Sequence, residues 1–167
     1  MTDTSSISSI IVLTEVALTD EDAVRLTSLH ENDEAGQPSY HLLVPADVER
    51  NLLADVLDHL SLFQLREALE AVRGEDEPTR TEAATELAAS LAAFAGVGVT
   101  ATGEVIEGDP VSVLEKQVTA DGPTREVMIV TRPHAVEDTF HRDWASRARE
   151  ALGVPVLHVY AGSSFLG

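Results

Sequence analysis

Thr131-Arg132-Pro133-His134 directly follows the apolar run Val127-Met128-Ile129-Val130 and carries the residue types suited to holding an anion. An arginine offers a planar fork of N–H donors, and a histidine offers a donor that changes state near neutral pH. Ser146, further along, adds a hydroxyl. Thr14 and Glu15 end another apolar run, Ile10-Ile11-Val12-Leu13, and Val44 lies at the end of a third, Tyr40 to Pro45. Together these place Thr14, Glu15, Val44, Thr131, Arg132, His134 and Ser146 as the candidate binding residues. His134, Asp138 and His141 form an H-x3-D-x2-H pattern that suits a divalent metal. Asp138 already has a use as a helix N-cap, so no metal site is assigned. Asp47, Glu49, Arg50 and Asn51 read as the charged first turn of a helix. No G-x-S-x-G elbow, phosphate-binding P-loop or G-x-G-x-x-G fingerprint occurs, and no residue is assigned a catalytic role.

Positioning these groups falls to elements that the hydrophobic pattern predicts. Strand-like apolar runs cover Ile7 to Leu13, Tyr40 to Pro45, Val99 to Ile106, Glu126 to Thr131 and Pro155 to Tyr160. Helix-period segments separate them, and no tight hairpin turn joins any two. Thr19 with acids at 20 to 22 predicts an N-cap and a helix to about His30. Asp47 to Val72 reads as two helical pieces. Gly74 to Pro78 reads as a turn, Thr79 with Glu82 as a capping box, and Ala83, Leu87, Leu91 and Phe94 as a helix stripe closed by Gly96. Asp109-Pro110 predicts a further helix start, since a proline lacks only an N–H that the first turn leaves unused. A last helix carries Phe140, Trp144, Ala148 and Leu152 on one face and is closed by Gly153. His41, His59 and His158, on different elements, suggest no shared site. Continuous apolar runs joined by helices require strands covered on both faces. The expected fold is therefore α/β, a three-layer α/β/α, Rossmann-like, doubly wound five-stranded parallel sheet of order 3-2-1-4-5. Its switch point between strands one and four is where such sheets bind ligands.

The 167 residues suffice for one domain, expected over 7–162 with tails at 1–6 and 163–167. Apolar residues make up 44% of the chain, without an uninterrupted apolar run of the ~20 residues a membrane span needs. The first residues lack a basic segment and an apolar core, so a cytoplasmic location is expected. There is no cysteine, which excludes thiolate catalysis and disulfides. A formal charge of −18 disfavours nucleic acid and anionic membranes as partners. Residues 131 to 150 are an exception, with four arginines balanced by four acids. An anion would be tolerated best there.

Gly103-Glu104-Val105-Ile106-Glu107-Gly108-Asp109-Pro110, Val127 to Val130 and Gly153-Val154-Pro155-Val156-Leu157 resemble the third, fourth and final strands of the universal stress protein family. That family belongs to the wider group of adenine-nucleotide alpha hydrolase-like folds. Ile10 to Glu15 sits where the family begins with a strand ending in Asp. The family's ATP-binding members carry Gly-x2-Gly-x9-Gly-Ser/Thr after strand four, because glycines let the backbone approach the phosphates. Here Thr131, His134, Trp144 and Ala145 stand at those positions. The resemblance thus implies a divergent member without the standard ATP-binding glycine motif. Such a module is expected to be non-enzymatic, to take a small anionic ligand or a protein partner, and to form a homodimer through the strand at 154–160. The alternative it implies is ATP or AMP binding, or nucleotide hydrolysis, through a variant loop.

Overall fold

Ile10, Ile11, Val12 and Leu13 are buried on both faces of a strand, β1 (Ser9–Thr14), at the centre of a sheet. The chain, in a computed structural model, is described for residues 8–32, 36–46, 77–108, 110–120, 123–132 and 150–162. Four more strands, β2 (Ser39–Pro45), β3 (Ala101–Ile106), β4 (Thr124–Thr131) and β5 (Val156–Tyr160), complete one sheet of order β3-β2-β1-β4-β5. Every pairing is parallel. Three helices are described: α1 (Asp20–Ser28), α2 (Glu77–Gly96) and α3 (Pro110–Ala120). The expected doubly wound α/β architecture and strand order are the observed ones. The two terminal tails and the predicted helices over Asp47 to Val72 lie outside the described residues.

The strands' alternating side chains divide the core in two. Ile10, Val12, Tyr40, Leu42, Met128, Val130 and Val159 face one way and pack with Ala23 and Leu26 of α1 and Ala93 and Phe94 of α2. Ile11, Leu13, Leu43, Val127, Ile129 and Val156 face the other way and pack with Leu114 of α3 and Leu152. Right-handed crossovers explain the division. The helices that precede β2 and β3, α1 and α2, lie on one face, and α3, which precedes β4, lies on the other.

Local chemistry sets the element ends. Thr19 caps α1 with a reciprocal box: its hydroxyl accepts from the Asp22 N–H at 3.2 Å, and Asp22 Oδ2 accepts from the Thr19 N–H at 3.1 Å. Ser90, buried within α2, accepts from the Leu18 N–H at 2.9 Å and ties the segment after β1 to that helix. Pro110 is the first residue of α3, as expected.

Two expected boundaries are corrected. Helix α2 begins at Glu77, so Pro78 and Thr79 lie inside its first turn instead of forming a turn and a cap. A proline is compatible with the first turn because its missing N–H has no partner there. The same helix is closed by Gly98, at φ +79°, and not by Gly96. The N–H groups of Gly98 and Val99 donate to the carbonyls of Ala95 and Phe94, each at 3.0 Å, a Schellman arrangement that needs a left-handed residue at position 98.

Candidate functional site

Parallel pairing carries β1 and β4 to a shared carboxyl end. Thr14 is level with Val130, and the Glu15 N–H extends the ladder by donating to the Val130 carbonyl at 3.4 Å. Thr14, Glu15, Thr131 and Arg132 are therefore neighbours at the switch point. Val44 ends up at the same height on β2, one residue beyond the Leu13–Leu43 pair. Its side chain is fully buried with Ala46 and Ala83, packed against Leu87 and Val105, so only its main chain faces the rim. His134 and Ser146 lie outside the described residues, as do Asp138, His141 and the 47–51 group. Among the described residues no cluster of three or more metal-ligating side chains occurs.

The polar groups brought to this rim bond one another. The Thr14 hydroxyl is buried and donates to the Val16 carbonyl at 2.9 Å. The Thr131 hydroxyl pairs with His158 Nε2 at 2.7 Å, both groups being buried. The Arg132 N–H donates to Glu15 Oε1 at 2.8 Å. Arg132 itself is exposed. His158 thus shares a contact with a candidate site residue, which scattered histidines in the sequence did not suggest. Its ring also stands edge-on to Tyr160, with centroids 4.7 Å apart.

A second polar constellation, beside the rim, was legible only as the acids of a helix start. Asp22, buried at 2% exposure, accepts from the Gly162 N–H at 2.8 Å and from the Arg25 guanidinium at 2.9 Å. Arg25 also donates to the Tyr160 carbonyl at 2.9 Å. Helix α1 is thereby fastened to the carboxyl end of β5. Burial alone would raise the Asp22 pKa. The N–H groups of Gly162 and Thr19, the Thr19 hydroxyl and the Arg25 charge outweigh it and hold the carboxyl below its ordinary value of 3.8. The spacing of Thr19 and Asp22 announces the cap, but nothing in the sequence announces Gly162.

An open groove of about 560 Å³ lies away from the switch point, between the end of β3 and α3. His41, Glu104, Glu107, Lys116 and Gln117 line it above Ile106 and Val113. His41 Nδ1 is 2.9 Å from the Thr102 hydroxyl and its Nε2 is 3.4 Å from Glu104 Oε1, which also accepts from Gln117 at 2.8 Å.

No known family's sequence pattern matches the chain, and no curated protein is detectably similar in sequence. Among solved structures, a universal stress protein family protein from Arabidopsis thaliana with AMP bound is 11% identical, with a TM-score of 0.46 over 93% of each chain. A hypothetical protein is 11% identical with a TM-score of 0.45, over 95% of this chain and 99% of its own. The universal stress protein UspA from Lactobacillus plantarum is 16% identical with a TM-score of 0.39, over 92% of this chain and 97% of its own. Two of these three carry the name of the family that the sequence resembles. The class of this protein, a doubly wound parallel α/β domain, rests on its own strand order and register.

Proposed function

We propose that the chain is a non-enzymatic, universal stress protein-like cytoplasmic module. It binds a small anionic ligand or a protein partner at the carboxyl ends of β1, β2 and β4, and pairs with a second copy through 154–160. The observation supporting the site is the meeting of Thr14, Glu15, Thr131 and Arg132 at the point where the strand order reverses. Arg132, exposed at that point, supplies a positive charge in a strongly acidic chain. The hydroxyl and imidazole that pair at the rim, Thr131 and His158, are both buried, which favours binding over nucleophilic chemistry. Support for self-pairing comes from β5, whose outer edge has no neighbouring strand among the described residues.

The second reading is a nucleotide-binding or nucleotide-hydrolysing protein in which Arg132, His134 and Ser146 contact phosphate. The same exposed arginine favours it. Calorimetry with ATP, ADP and AMP, with and without magnesium, separates the two. Binding of one of these that disappears in Arg132→Ala supports the second reading. The absence of heat with all three supports a different anion or a protein partner.

A further inference from the structure

At the switch point, three polar groups that could serve an oxyanion already have internal partners. The Thr14 hydroxyl is taken by Val16, the Thr131 hydroxyl pairs with His158, and the Arg132 main-chain N–H is taken by Glu15. The last is distinctive because the partner is itself an anion. Its 2.8 Å separation is that of a charge-assisted hydrogen bond, and it joins residues 117 positions apart. A phosphoryl group approaching Arg132 would meet a carboxylate on the N–H it requires, and would be repelled by the same charge.

We propose that Glu15 is a built-in competitor: its carboxylate occupies the anion position at the end of β4, and phosphoryl ligands bind only by displacing it. This rests on the reading of the rim as an anion site and adds its regulation. Glu15 bridges the ends of β1 and β4, the two strands that flank the switch point. Anything that draws the carboxylate away, such as a partner's basic side chain, would expose the Arg132 N–H beside its own guanidinium.

The test compares the full chain with Glu15→Ala and Glu15→Gln. Glutamine keeps an acceptor for the N–H and loses only the charge, so it serves if alanine compromises folding. The probes are inorganic phosphate and AMP, which distinguish a free phosphate from a nucleotide as the ligand. Calorimetry reads affinity, and the Arg132 amide resonance in NMR reads whether the ligand arrives at that N–H. The expected result is at least about tenfold tighter binding in Glu15→Ala, a smaller gain in Glu15→Gln, and movement of the Arg132 resonance at lower ligand concentration than in the parent. A gain in the variants while the parent binds neither probe supports the competitor and removes phosphoryl binding from the unaltered protein's function. Equal binding by all three chains overturns the competitor and leaves the anion site standing. No binding by any of them overturns both.

Discussion

At the residue scale, Asp22 shows how a buried charge is kept charged. Burial opposes ionisation, and four donors reverse the outcome, two of them from Thr19, one from Arg25 and one from the distant Gly162. Because the folded carboxyl titrates below 3.8 while the unfolded one does not, the ionised form stabilises the fold. That contribution is complete above the unfolded value and is lost as pH falls through the lowered folded value. Asp22→Asn is expected to cost roughly 2–3 kcal/mol at neutral pH. Urea titrations of parent and variant would show the difference shrinking below about pH 4, as expected from linkage. A difference that persists unchanged into acid would mean that packing, and not ionisation, is what asparagine disturbs. Thr131→Val tests the buried pair with His158. It removes the partner of Nε2 at nearly constant volume and should cost about 1–2 kcal/mol in the same titration.

At the scale of elements, Gly98 after α2 and Gly103 within β3 are required for different reasons. Gly98 needs its left-handed φ and has open space around it. Gly98→Ala should cost about 1–2 kcal/mol, and asparagine should recover part of that. Gly103 has no unusual φ but almost no room. A Cβ there would lie 2.7 Å from the Leu42 carbonyl oxygen and 2.7 Å from Leu87 Cδ1. Gly103→Ala is therefore expected to cost about 1–3 kcal/mol through overpacking. Adding Leu87→Ala should not restore stability, because the Leu42 oxygen belongs to the neighbouring strand's backbone. A lower urea midpoint with an unchanged slope in both the single and double variants would bear this out.

At the scale of the whole molecule, the sheet has two ends of different character. On β3 the outward-facing pattern is broken by Thr102 and Glu104, both exposed, which discourages pairing with another chain. On β5, the Pro155 carbonyl and the Ala161 N–H both bond to β4. Strand alternation then turns the main-chain groups of Val156, His158 and Tyr160 to the opposite edge, where the Tyr160 carbonyl accepts from Arg25. The proposed self-pairing through 154–160 predicts that light scattering on the eluted protein gives twice the 17.9 kDa of the single chain. A mass of one chain at high micromolar concentration would remove the homodimer from the proposed function.

The layered parallel sheet was legible in the local hydrophobic pattern. Strands buried on both faces must be apolar at every position, so Ile10 to Leu13 and Val127 to Val130 announce themselves locally, and helices between them leave one handed way to wind. The same pattern also located the switch point, which follows from strand order. Which of the residues there bond one another is visible only in three dimensions. Glu15 with Arg132, Thr131 with His158, and Asp22 with Gly162 are separated by 117, 27 and 140 positions. Each pair meets only because parallel strands bring distant chain ends to one rim. A hydrogen bond has a range of about 3 Å, whereas a periodicity records only which face a residue occupies.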